Sequence, residues 1–196
     1  MKRGGAVSCF GGAAGFGGSP AAVAGDGTES PASAAAGVPT TLPVGDQARA
    51  LTWNCMLGRG MLPAPTADQA AQIWNSRVPN VRMVRGGSAT IRIYATTGGG
   101  SRAYPCGLGC ATIYIDSRDV AAGNSALRIV THEIGHGLGL PDTYNGICSY
   151  LMSGGSAGTS CRNPYPNAQE ANRVNQLFAG GFGVSAATTS GVYARG

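Results

Sequence analysis

The sequence predicts an α+β fold: a small, twisted, mostly parallel sheet with an antiparallel edge strand, backed by helices. Two observations lead there. Residues 81–84, 89–95 and 111–116 alternate apolar with polar side chains, the period of a strand with one wet face. Residues 126–137 and 167–178 instead carry apolar side chains at helical spacing. A length of 196 residues allows one domain plus a modest appendage and is too short for two cores.

The elements follow in order. Residues 1–24 read as a signal peptide, with a basic start (Met1-Lys2-Arg3), a Gly-diluted apolar stretch and the small-x-small site Ala22-Val23-Ala24. Ala6-Val7-Ser8-Cys9 has the look of a lipoprotein box but lies too near the start to have an apolar region before it. Residues 25–49, rich in Gly, Ala, Ser, Thr and Pro, form a linker or short propeptide. The folded domain spans 50–181. Ala50-Leu51-Thr52-Trp53 is a short strand, and Thr66-Ala67-Asp68-Gln69 opens a helix through Ala70, Ala71, Ile73 and Trp74 that stops before Pro79. The Gly-rich stretch 98–109 reads as a hairpin or loop, and residues 111–116 as the strand before the second helix. Asn124 or Ser125 caps that helix; residues 139–166 are loop; a last helix runs over 167–178 with Ala168, Ala171, Val174 and Leu177 on one face. Residues 182–196 form a flexible tail.

Composition excludes two classes. No window approaches the ~18 uninterrupted apolar residues of a membrane helix. The net charge is +5, but one Lys and thirteen Arg are scattered without a basic run, which argues against a nucleic-acid partner.

The chemistry sits in Thr131-His132-Glu133-Ile134-Gly135-His136-Gly137-Leu138-Gly139-Leu140-Pro141-Asp142, which contains both histidines of the chain. Side chains four apart share one helical face, so both imidazoles can bind one metal ion. Glu133 is placed to reach a water beside that metal as general base. Gly139 ends the helix, and Asp142 arrives six residues past His136 as a third ligand. Three protein ligands leave zinc a fourth position for water, the catalytic arrangement.

With this motif the chain resembles the snapalysins, small secreted bacterial zinc endopeptidases of the metzincin clan with the pattern HExxHxxGxxD. The resemblance extends to Ala70-Ala71-Gln72-Ile73-Trp74-Asn75, Leu151-Met152-Ser153-Gly154-Gly155, residues 161–170 and Arg173-Val174-Asn175-Gln176-Leu177. It implies a zincin-like fold with a small mixed sheet, an active-site helix and a C-terminal helix. It implies one catalytic zinc on His132, His136 and Asp142, with Glu133 as base. It makes Met152 the methionine beneath the metal and Tyr144 a hydrogen-bond donor to the oxyanion. It also implies polypeptide substrates with an aromatic residue after the cleaved bond, the loop over 143–155 forming one wall of that pocket. The product would be a secreted, extracellular monomer. By fold analogy, residues 111–116 form the edge on which an extended peptide pairs.

The chain departs from the family in places. A calcium site before the active helix needs an Asp and a Thr where this sequence has Ser125 and Leu127, so calcium is in doubt. Residues 55–61 fit poorly, and the tail past Gly181 is additional. Cys148 and Cys161 match the family disulfide. Cys106 and Cys110 are extra and close enough to pair, with a second metal site as the weaker alternative. Cys55 is then left over, free or competing for a partner. The rival function is a zinc-stabilised binding module or inactive protease homologue, against which an intact Glu133 argues.

Overall fold

The computed structural model describes residues 49–56, 64–179 and 191–192. The signal peptide expected over 1–24, all but the last residue of the 25–49 segment, the Cys55 side chain and most of the tail lie outside the described residues. Strands β1 (Arg49–Met56), β2 (Val81–Arg85), β3 (Ile91–Thr96), β4 (Arg102–Gly107), β5 (Cys110–Asp116) and β6 (Gly191–Val192) form one sheet in the order β2-β1-β3-β5-β4-β6. The pairs among β2, β1, β3 and β5 are parallel, while β4 runs antiparallel to β5 and to β6. Helices α1 (Ala64–Arg77), α2 (Ser117–Ala121), α3 (Ala126–Gly137) and α4 (Ala168–Ala179), with a 3-10 helix over Leu151–Ala157, complete an α+β zincin-like fold.

Strand alternation decides where the core lies. Leu51, Trp53, Val81, Met83, Ile91, Ile93, Ile113 and Ile115 all point to one face and are buried there against Trp74, Ile129, Val130, Ile134, Leu138 and Val174. Trp74 also donates its indole N–H to the Thr131 carbonyl at 3.0 Å, which ties α1 to α3. The last helix buries Ala171, Val174, Leu177 and Phe178, while Ala168, assigned to that face from spacing, is exposed.

The peptide-pairing edge expected at 111–116 is not an edge. β5 is flanked on one side by β3 and on the other by β4, so its ladder is filled. The strand beyond β5 is β4, covered on its outer side only by the two-residue β6, and Pro105 and the glycines around it mark the stretch as a turn in the sequence. What delivers β4 is a carboxylate-held connection. Gly98, Gly99 and Gly100 run at φ of 102°, 85° and 75°, a path closed to most side chains. Their loop wraps the buried Asp116 and Asp119. Asp116 accepts from the N–H groups of Gly98 and Gly100, both at 2.9 Å, and Asp119 accepts from the N–H and hydroxyl of Ser101 at 2.7 and 2.8 Å.

Candidate active site

Helix α3 starts at Ser125, whose hydroxyl accepts from the Arg128 N–H at 3.4 Å, and is buried from Arg128 to Gly137. Two glycines let it sit that deep. A Cβ at Gly135 would stand 2.8 Å from Met152 Sδ, and one at Gly137 would stand 3.1 Å from Ala111 Cβ. The helix ends as its sequence predicts: Gly139 takes φ 93° and the Leu140 N–H donates back to the Gly135 carbonyl at 3.0 Å. That reversal brings Asp142 under the histidines.

His132 Nδ1 lies 3.0 Å from the Leu151 carbonyl and His136 Nδ1 lies 2.8 Å from the Leu140 carbonyl. A carbonyl oxygen only accepts, so each Nδ1 carries the ring proton and each Nε2 keeps its lone pair. The two Nε2 atoms converge on Asp142 Oδ1 at 3.2 and 3.5 Å. Two lone pairs and a carboxylate oxygen pointed at one another repel unless a proton or cation lies among them. His132, Glu133 and His136 also form a buried group able to hold a metal ion. The donor set therefore fits a zinc ion.

Electrostatics agree with that reading. Burial is the largest influence on the His132 imidazole and lowers its pKa, which favours the neutral, ligating form. Burial raises the Asp142 carboxyl, but a proton shared from the His132 and His136 rings outweighs it and holds the carboxyl below the usual range, in the anionic form a metal ligand needs. Glu133 is fully buried, and its two oxygens have no hydrogen-bond partner among the described residues. Desolvation, reinforced by the charges of Asp142 and Asp119, pushes its carboxyl well above the ordinary range.

Tyr144 donates from its hydroxyl to Asp142 Oδ2 at 2.7 Å and is the non-glycine residue with positive φ, 43°, among the described residues. Burial first, then that bond and the charges of Asp142 and Glu133, raise its phenol above the usual value. A strained backbone that aims a side chain at a charged centre is a feature of functional sites. Met152 lies beneath the helix against Gly135, 1% exposed.

Two groups that hold the site went unrecognised in the sequence. Glu170 accepts from the N–H groups of Leu151, Met152 and Asn167 at 3.1, 2.8 and 2.7 Å. Buried Arg128 donates to the carbonyls of Cys148, Tyr150, Leu151 and Asn163. Asn167-x-x-Glu170 is a capping-box spacing and could have flagged the first; nothing in the pattern marks the second. Both expected cysteine pairs are bridged, Cys148–Cys161 and Cys106–Cys110, so the alternative of a metal at Cys106 and Cys110 falls. Ser125, at the doubtful calcium position, is occupied as a helix cap, and the Leu127 carbonyl accepts from the Thr131 hydroxyl.

A mixed sheet over a buried helix that turns two imidazoles and a carboxylate toward one point defines a metallopeptidase of the zincin type. The chain belongs to the Streptomyces extracellular neutral proteinase (M7) family, whose model matches residues 64–181. An extracellular small neutral protease of Streptomyces caespitosus is 51% identical over 123 residues, covering 60% of this chain and 92% of that protein. Proteins of the same name from Streptomyces lividans and Streptomyces coelicolor are 49% and 42% identical, and the chain spans 51% and 55% of their lengths.

Proposed function

We propose that the protein is a secreted, extracellular zinc endopeptidase in which His132, His136 and Asp142 hold the metal and Glu133 is the general base. The observation that carries this reading is the convergence of two Nε2 lone pairs on Asp142 Oδ1 beside the buried Glu133. Residues 1–24 direct export, 25–49 form a linker or propeptide, and 50–181 form the catalytic domain. The protein acts as a monomer on polypeptides, with neither nucleic acid nor membrane as partner.

Bound zinc supplies Lewis acidity, lowering the pKa of water toward ~7 and polarising the scissile carbonyl. The chain's own residues do the rest. Glu133, whose carboxyl burial holds above the ordinary range, takes the proton of the attacking water and returns it to the leaving amine. Tyr144, whose hydroxyl is held against Asp142, is the residue that would offer a hydrogen bond to the developing oxyanion. The loop over 143–155 walls the site where the residue after the cleaved bond would lie, and an aromatic residue is preferred there. Calcium has no role in this reading.

Two substitutions separate ligand from base. Glu133→Gln keeps zinc at near-normal occupancy while peptide hydrolysis falls ~10²–10⁴-fold, the contribution of a positioned general base. Asp142→Ala loses zinc and activity together. Zinc content by atomic spectroscopy, beside turnover of one peptide, reads both. The assignment fails if Glu133→Gln loses its metal while Asp142→Ala keeps metal and activity.

A further inference from the structure

The sheet has two ends, and one of them adjoins helix α3. β2 closes the far end against α1, whereas β4 packs on α3. The turn after β4 is pinned to that helix, with the Gly109 N–H donating to the Gly137 carbonyl at 2.8 Å. At the start of the strand, Ala103 is fully buried in the core that β4 shares with α3. An extended polypeptide that joins a sheet edge draws main-chain hydrogen bonds from it, and the edge beside α3, the helix that carries Glu133, is that of β4.

This edge is partly taken. Val192 pairs with Arg102 and Gly191 with Ala103, antiparallel, while the inner side of the same two residues pairs with Tyr114 and Ile113 of β5. Residues 104–107 have no strand on their outer side among the described residues. We propose that β6 occupies part of the peptide-binding edge, so that the C-terminal segment of the chain competes with the main chain of an incoming substrate.

The inference rests on the protease reading above. A ladder of two residues is far shorter than the usual strand, so a substrate with a longer run of backbone displaces it. The segment lies beyond residue 181, where the match to the family model ends.

The test keeps the chain full-length and changes Gly191→Pro and Val192→Pro together, because proline has no N–H and cannot take its place in a ladder. If β6 covers the edge in two-thirds to nine-tenths of molecules, freeing it raises kcat/KM on an extended quenched peptide about threefold to tenfold, through KM. Hydrogen exchange should quicken in the same variant at one of the Arg102 and Ala103 amides, the one whose N–H turns toward β6, while its neighbour, turned toward β5, stays protected. A synthetic peptide of residues 188–196 should inhibit the variant competitively. The proposal is overturned if exchange does not change, or if it quickens while kcat/KM stays the same. If neither protein cleaves any peptide, the protease reading has failed instead. Binding of an extended peptide by fluorescence anisotropy then decides: tighter binding by the variant supports the competition, and equal binding overturns it.

Discussion

Helix α3 and the chain that follows it approach the same centre with different means. His132, Glu133 and His136 are placed by the helix's own ladder, so their spacing alone puts them together. Asp142, Tyr144 and Met152 come from a stretch with little repeating structure. There, main-chain groups are held by distant side chains: Arg128 takes carbonyls of residues 148–163, Glu170 takes the N–H groups of Leu151 and Met152, and Cys148–Cys161 closes the loop. The two regions meet at the Leu151 carbonyl, where the loop sets the ring of His132. A helix needs only its own residues to be in place, whereas this loop needs partners far along the chain, and damage to either should reach the metal by a different route.

Glu170→Ala is the strongest way to break the loop without touching the helix. It strands three N–H groups, and the two buried ones cost about 1–3 kcal/mol each, so a loss of about 2–6 kcal/mol is expected. Urea unfolding measures the loss. Zinc affinity should fall with it through Leu151 and His132, although Glu170 is not itself a ligand. Unchanged zinc affinity would show that the loop does not set the His132 ring.

Removing the Cys148–Cys161 bridge by a double Cys→Ala change should cost less. The sequence separation is 13, and a loop of that size is worth about 3 kcal/mol in the unfolded-chain account. Cys106–Cys110, with a separation of 4, should cost less again, and thermal unfolding of the two variants ranks them. The reverse order would mean that the β4–β5 turn depends on its bridge more than the loop does.

Gly135→Ala probes the contact between the two regions. The new methyl would stand 2.8 Å from Met152 Sδ and 3.3 Å from Trp74 Cζ2, and overpacking of this kind costs about 1–3 kcal/mol. The thioether is flexible enough to move, so the lower half of that range is expected, with KM altered more than zinc content.

This contrast also explains what the sequence disclosed. The strands and the α3 site were readable because period-two and period-3.6 patterns are local, and Gly139 marks its own turn. Strand β4 was not, because a proline and nearby glycines mask a pairing that Asp116 and Asp119 enforce from more than ten residues away. The edge was misplaced for the same reason: neighbours in a sheet are not neighbours in the chain. Arg128 and Glu170 read as ordinary helix residues because their partners lie in other segments.

The smallest effect is expected at the far end of α3. Ser125 caps the helix through a long bond of 3.4 Å, so Ser125→Ala should cost about 0.5–1 kcal/mol, the low end for an N-cap. The proposed ligands His132 and His136 lie about two and three turns away on a helix whose residues from Arg128 to Gly137 are all buried, and that packing holds the ladder whether or not its first turn frays. Zinc affinity and kcat/KM should therefore match the parent while the melting temperature falls slightly. Added calcium should leave both melting temperatures where they are, since the Ser125 hydroxyl already serves the helix end. A loss of zinc from Ser125→Ala would mean that α3 transmits strain along its length, and the division between a self-sufficient helix and a dependent loop would have to be given up.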